Sequence, residues 1–490
     1  MSEILPLTTI GVIIIIAIGF GLFIRKLGQN EVIGFILAGF LLGPFWLNFL
    51  HPFDPLVTGF AELGLFVLLF YLGIELSLKE FLGAGSTIFG LAAIDMVLTT
   101  GLGVAVLLFL GHSVLFALVV GIMLFSTSTA IVAKFIIDKG LLQNTPAKIS
   151  LSILILQDFL GILLLVFITS MSKAENSPLS LAMAAVVFAV GTFYAVFRLS
   201  RLVEDWMQKN DFGHSQMTMY ALGIGLVVAT LGSILGLSTA IGAYFAGFAL
   251  SETSSGHRIK KDVMFLRDFF LVFFFVGFGT TLFFDPALGL VVLPSIDSFA
   301  GLLGLALGLG IIAIFAHSIA FRAFGPLFGL NAEDSSLSAI LLSPLGEFVV
   351  IIATVSAGVL AGAEAKLLSP LAFLLILTTV LLFQPLHTFR RLHQKIFSFI
   401  PAFALAQKKP HAEQQPNFAA EQFKEIGLNL FVILCFAWLS VLFYTQLPRF
   451  GVPIIYSREI TSSLIFGFFA SYPLFKALRA FRRLHRHTHY

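Results

Sequence analysis

Apolar runs of about 20 residues, the length a helix needs to cross the hydrocarbon core of a bilayer, recur along the whole chain. Thirteen lie near residues 5–25, 31–49, 56–78, 85–110, 113–137, 147–172, 178–197, 215–234, 236–253, 263–284, 298–321, 335–360 and 366–388. A polar stretch near 410 follows, then two more runs near 425–446 and 460–479. Only 11% of the 490 residues are charged, against about 25% in soluble domains. The chain is therefore expected to be an integral membrane protein in contact with lipid. Its net charge of +3 gives no basis for a nucleic-acid partner. Cys435, the single cysteine, has no intrachain disulfide partner.

Charge placement predicts the topology. Only Glu3 precedes the first apolar run, while Arg25 and Lys26 follow it. A secretory signal has the opposite order, so this run reads as a retained helix with its N-terminus outside. On that assignment twenty Lys and Arg residues fall on the inside through Lys424, and only Lys173 and Lys366 fall outside. Such a bias is the positive-inside pattern, and one miscounted segment would scramble it. Arg479, Arg482, Arg483 and Arg486 then form a basic cytoplasmic tail suited to lipid headgroups.

The segments also repeat. Gly34–Phe40 and Gly242–Phe248 both read G-x-x-x-A-G-F, in the second and ninth runs. Phe70-Tyr71-Leu72-Gly73 in the third run matches Phe274-Phe275-Val276-Gly277 in the tenth. Six segments, one linking segment and six more give two units that enter the membrane from opposite sides. Inverted repeats of this kind are typical of secondary transporters. The expected fold is all-α and polytopic: a thirteen-helix core over 1–390, a polar cytoplasmic linker over 391–424 and a hydrophobic hairpin with a basic tail over 425–490.

The fifth and twelfth runs occupy the same place in the two units, and both are interrupted. One carries Ser126, Thr127, Ser128 and Thr129; the other carries Ser343-Pro344-Leu345-Gly346-Glu347. Paired broken helices are the best sequence pointer to a midplane site, because their freed backbone groups and half-helix ends can hold an ion. In the sixth run, Gln157 and Asp158 interrupt Ile149–Val166. A carboxylate there costs about 2.5–3.5 kcal/mol on insertion and is tolerated mainly beside a cavity or an ion path. In a partly dehydrated cavity it exchanges a proton near neutral pH, and when ionised it binds a hard monovalent cation. Glu347, beside the second break, either supports the half-helices or touches the ion. Glu62 and Asp95 are candidate pathway acids, and His317 is a candidate pH-responsive partner.

Seven stretches, in order, carry a family resemblance: GFILAGFLLGP at 34–44, YLGIELSL at 71–78, STAIV at 128–132, LILQDFL at 154–160, GLSTAIGAYFAGFALS at 236–251, FFVGFG at 274–279 and GEF at 346–348. The chain resembles the cation:proton antiporter 2 superfamily, and most closely the membrane domain of Kef-type potassium/proton antiporters. The resemblance implies a homodimer with a dimerisation half, an ion-carrying half and two crossing broken helices. It also implies Asp158 as the carrier of cation and proton, and Gln157 in place of a second acid found in electrogenic relatives. One carboxylate predicts one-for-one, electroneutral exchange. Kef-type proteins end in a soluble nucleotide-binding domain, which the sequence here replaces with the linker and two hydrophobic runs.

The expected function is exchange of potassium or sodium for protons by alternating access, with the cation at Asp158 and Gln157, Ser128 and Thr129 beside it. Ser126, Thr127, Pro344, Gly346 and Glu347 support the breaks. Transport rather than enzyme catalysis, no cofactor and a bacterial inner membrane are expected. A monovalent cation channel, or a transport-inactive scaffold or sensor on the same fold, are the alternatives.

Overall fold

The computed structural model describes residues 6–27, 29–75, 85–141, 143–171, 178–210, 212–234, 239–285, 288–328, 330–403, 429, 467–468, 470–476 and 478–479. The helices are α1 (Pro6–Lys26), α2 (Glu31–Leu42), α3 (Pro55–Glu75), α4 (Gly85–Phe109), α5 (Val114–Phe125), α6 (Thr129–Asp138), α7 (Thr145–Met171) and α8 (Pro178–Lys209). They continue with α9 (His214–Ile234), α10 (Thr239–Ser251), α11 (Gly256–Thr280), α12 (Ile296–Ile319), α13 (Ala332–Leu341), α14 (Phe348–Ala357), α15 (Gly362–Thr388) and α16 (Arg390–Ile396). A small antiparallel hairpin pairs β1 (Phe284–Asp285) with β2 (Leu290–Val291). Among the described residues, seven helices are long and apolar enough to cross a membrane, and α2, α5, α10 and α14 are shorter apolar helices. Large apolar side chains such as Leu7, Ile15, Phe109 and Ile296 are exposed, as lipid-facing positions require.

The chain divides into two compact units. The first comprises residues 1–68, 78–172 and 266–406; the second comprises 69–77, 173–265 and 407–490. In the first, α4, α6, α7, α13, α15 and the turn Ala320–Phe324 after α12 share one apolar core built on Leu91, Ile136, Leu154, Phe321, Ile340 and Phe383. A second core, on Ile13, Leu42, Val57 and Phe273, joins α1, α2, α3 and α11.

Glycine sets two close helix crossings. Within the first unit, a Cβ on Gly39 of α2 would lie 2.0 Å from the Val276 carbonyl, and one on Gly279 of α11 would lie 2.1 Å from that of Ile36. Within the second, a Cβ on Gly247 of α10 would lie 2.1 Å from the Phe70 carbonyl, and one on Gly73 of α3 would lie 2.1 Å from that of Tyr244. Backbones this close exclude any side chain. The sequence pairing of Gly73 with Gly277 is shifted by two residues: the glycine making the equivalent contact is Gly279. Gly277 instead faces the Ala61 methyl, 3.3 Å from where its own Cβ would be.

The polar linker expected over 391–424 begins as packed structure. Leu392, Phe399 and Phe403 are exposed, but Phe397 and Ile400 pack on Ala323, and the Phe403 amide donates to the Ala323 carbonyl at 2.8 Å. A stretch rich in Arg, His, Gln and Lys reads as linker, yet His393, Phe397 and Ile400 recur at helical spacing to give a buried face. The rest of the linker and nearly all of the 425–490 hairpin lie outside the described residues.

His393 holds α16 in place. One ring nitrogen meets the Ser318 hydroxyl at 2.9 Å and the other meets that of Ser336 at 2.8 Å. Burial pushes its pKa down from 6.5 to about 4, because the cation would lose its hydration. The neutral ring is bound when folded, whereas the released ring takes a proton near its ordinary pKa. Attachment of α16 is therefore full above pH 6.5 and weakens as pH falls toward 4, by up to roughly 3 kcal/mol. Protection of the 390–399 amides, expressed relative to intrinsic exchange at each pH, should fall between pH 6.5 and 5 in the wild type, and His393→Gln should flatten that dependence. An unchanged pH dependence in the variant would assign it to another group.

Candidate functional site

The fifth apolar run folds as α5 and α6, separated by three unwound residues. Ser126 and Ser128 have ψ values of 88° and 101°, which no helix accommodates, and the Ser128 hydroxyl caps α6 by accepting from the Ile131 amide. The twelfth run likewise folds as α13 and α14, with Leu342–Glu347 between them. Pro344 has no amide hydrogen to continue a helix. Backbone groups freed in one break are bound by the other. The Ser128 amide donates to the Pro344 carbonyl at 2.7 Å, and the Gly346 amide donates to the Ser126 carbonyl at 3.1 Å. Thr127 and Leu345 thus face each other as an antiparallel bridge, and the Thr127 hydroxyl donates to the Leu342 carbonyl at 2.9 Å. The Ser126 hydroxyl bonds back to Ile122 within α5.

Four half-helix ends meet here. α6 and α14 begin at the crossing, and α5 and α13 end at it, so two positive and two negative dipole ends balance. Asp158 of α7 stands beside this crossing: Thr129, the first residue of α6, donates its hydroxyl to Asp158 Oδ2 at 3.3 Å. Asp158 is partly exposed. A cleft of about 380 Å³ bordered by Arg25, Glu31, Lys134 and Asp138 runs in as far as Ala130 and Ile131, the residues next to Thr129. The cleft thus ends at residues adjacent in sequence to Thr129.

The other sequence candidates divide between the crossing and two further places. Ser126, Thr127, Ser128, Thr129, Pro344 and Gly346 come together at the crossing. Glu347 begins α14 without a side-chain cap bond. Gln157 is turned away from the Asp158–Thr129 contact: its amide donates to Asp95 Oδ2 at 3.2 Å, and Asp95 Oδ1 lies 2.7 Å from His317 Nδ1. All three side chains are buried to 1% exposure or less. Glu62 is exposed and lines a different cleft, of about 390 Å³, with Thr58, Thr281, Thr354 and Lys366. An acid in an apolar helix is tolerated where it meets such a water-accessible space.

One contributor to the crossing was not visible in the sequence. Thr379 of α15 is fully buried, and its hydroxyl accepts from the Leu345 amide at 3.1 Å while bonding back to Leu375 at 2.8 Å. A threonine in an apolar helix reads as merely back-bonding, and this one does that as well. The same helix accepts from the Ser113 amide at Glu364 near its start, at 2.8 Å, and just past its end Arg390 meets Glu333 of α13 at 2.7 Å. α15 thus braces the break and the start of α5, and Arg390 of α16 holds the start of α13. Thr379→Val keeps the shape and orphans the Leu345 amide, a loss of about 1–3 kcal/mol. A fall in melting temperature is expected, with Thr379→Ser close to wild type; equal melting of Thr379→Val and wild type would remove Thr379 from the brace.

Comparison with known proteins gives a consistent match. Residues 11–388 match the family model described as sodium/hydrogen exchanger, transmembrane. The chain is 29% identical over 359 residues to YbaL of Escherichia coli, covering 71% of this chain and 62% of YbaL. It thus spans less than two thirds of that relative. It is 27% identical over 388 residues to the K(+)/H(+) antiporter subunit KhtU of Bacillus subtilis, covering 76% of this chain and 92% of KhtU. The fold resembles that of the sodium proton antiporter MjNhaP1 from Methanocaldococcus jannaschii, with a TM-score of 0.59 at 16% identity, over 81% of this chain and 99% of that one. Because the family model covers the crossing, Asp158 and both clefts, the chain belongs to the transmembrane sodium/hydrogen exchanger family.

Proposed function

We propose that this protein is a secondary transporter that exchanges a monovalent cation, potassium or sodium, for a proton by alternating access around Asp158. The observation that carries the reading is the placement of Asp158. It is a titratable carboxylate at the crossing of two broken helices, bonded to the first residue of one half-helix, with a cleft reaching the adjacent turn. Proton and cation compete for that carboxylate, and a site that crosses only when loaded converts competition into exchange. KhtU is named for potassium and MjNhaP1 for sodium, and the choice here is left to the measurement. One carboxylate bonded to α6 at the crossing supports one-for-one, electroneutral stoichiometry; each net charge carried would otherwise respond to voltage by about 2.3 kcal/mol per 100 mV.

The matched glycine crossings, Gly39 with Gly279 and Gly247 with Gly73, support a thirteen-helix core of two inverted repeats. In each, the G-x-x-x-A-G-F helix of one repeat meets the third helix of the other. The reading includes a homodimer in a bacterial inner membrane, the N-terminus outside and the basic tail in the cytoplasm. The linker and the hairpin over 425–490 are appended to that core.

The test is reconstitution in vesicles with an imposed pH gradient. Addition of potassium or sodium to one side should collapse the gradient, with no dependence on membrane voltage. Cation flux without proton movement would replace the exchanger by a channel, and no flux of either would leave a scaffold or sensor.

A further inference from the structure

The buried trio formed by Asp95, Gln157 and His317 is not needed for a carboxylate to load and unload ions at Asp158. Asp95 lies on α4, Gln157 on α7 and His317 on α12, and none is more than 1% exposed. Such a group is a costly way to fill a helix interface, because apolar side chains of the same volume would pack there without desolvating a carboxylate. The cost is not fully recovered: Gln157 Oε1, His317 Nε2 and the Thr99 hydroxyl, one turn along α4 from Asp95, are buried without hydrogen-bond partners. A polar cluster kept at that expense, one residue away from the carrier carboxylate, has a use other than packing.

The geometry defines that use. Asp95 Oδ1 is engaged by His317 at 2.7 Å, and Oδ2 takes the Gln157 amide at 3.2 Å. The carboxylate accepts on both oxygens, so Gln157 must present its NH₂ group to it, which settles the orientation of the amide. Gln157 and Asp158 are consecutive on α7 and so point about 100° apart around the helix axis. Holding Gln157 on α4 therefore dictates where Asp158 points, and it points at Thr129. We propose that Asp95, clamped by His317, is a positioning residue for transport: acting through Gln157, it fixes the rotation of α7 that turns Asp158 toward the broken-helix crossing. This rests on the exchange reading above and assigns the trio a role in cation affinity rather than in carrying the ion.

The test uses the full chain in vesicles, reading the half-saturating concentration of potassium or sodium, the pH profile of transport and the melting temperature. Asp95→Leu combined with His317→Leu removes the clamped pair at once but leaves the buried Gln157 amide without its acceptor, so a lower melting temperature is expected beside the transport change. The half-saturating concentration should rise by about tenfold, the scale of one lost hydrogen bond in an affinity, and the pH midpoint should move. Gln157→Leu, which cuts only the link, should reproduce both changes even if the double variant does not fold. Asp95→Asn, which keeps an acceptor for the amide, should fall between these and the wild type. Wild-type half-saturation and pH profile in Gln157→Leu would overturn the proposal and leave the trio a packing feature. Failure of the exchange reading looks different: the wild type would then move cations without protons, and the role of the trio would still be read from the cation half-saturation.

Discussion

Asp158→Asn is expected to leave an imposed pH gradient standing when potassium or sodium is added to vesicles, at the level of vesicles without protein. The asparagine has nearly the same shape and keeps an oxygen that can accept from Thr129, so the bond now seen at 3.3 Å has a replacement. What it loses is the negative charge and the ability to take a proton. Two unit charges 4 Å apart at an effective dielectric of about 20 attract by about 4 kcal/mol, so removing one weakens cation binding by nearly a thousandfold. Removing titration eliminates the proton limb of the cycle entirely. Thr129→Val should be milder, because it takes away one neutral donor and leaves the charge. Cation-driven proton movement that survives in Asp158→Asn, in protein with a normal melting temperature, would move the transport site to another acid. Glu62, in its own cleft, would be the next to examine.

The crossing was legible in the sequence because it breaks local rules. Four consecutive hydroxyl residues at 126–129, and a proline and glycine at 344 and 346, are poor choices inside apolar helices, and the structure unwinds at both places. Asp158 was legible for the same reason, since a charge in an apolar run is expensive enough to need an explanation. That the two breaks bond to each other follows from the need to satisfy freed backbone groups away from water. Their partners, Ser126 with Gly346 and Ser128 with Pro344, are set by how the helices cross, which no local pattern encodes.

The links around Asp95 were not legible. Gln157 reads as a member of the Asp158 site because the two are adjacent in sequence, but adjacent helical residues face different neighbours. Its bond to Asp95 spans 62 residues of chain, and the bond from Asp95 to His317 spans 222. Each side chain taken alone is an ambiguous polar residue in an apolar run; only the convergence of α4, α7 and α12 makes them a group. Thr379 shows the same limit in a smaller case, since its bond to Leu345 adds to an ordinary bond within its own helix. Packing at the start of the expected linker was hidden for a different reason. Its composition is polar, but His393 turns inward and finds two serines.

Gly346→Ala is expected to damage stability and transport together, because its methyl group would enter the broken-helix crossing itself. A Cβ there would stand 2.6 Å from Ser128 Cα and 3.1 Å from the Ser128 amide nitrogen. Both are backbone atoms in the bridge itself, so no side-chain rotation relieves the contact. To admit the methyl group the two unwound segments must part, which strains or breaks the bonds from Ser128 to Pro344 and from Gly346 to Ser126. Overpacking in a well-filled interior costs typically about 1–3 kcal/mol, and the buried amides set free would add a similar amount each. The same movement shifts Thr129, the next residue after Ser128, away from Asp158, so transport should fall more steeply than stability. Gly304→Ala supplies the comparison, because a Cβ at that exposed position of α12 meets nothing within 4 Å and alanine favours a helix over glycine by up to about 1 kcal/mol. The expected order is a lower melting temperature and lost exchange for Gly346→Ala, with both unchanged or slightly improved for Gly304→Ala. If Gly346→Ala melts and transports like Gly304→Ala, the two breaks do not need their close approach, and the crossing is not what holds Thr129 against Asp158.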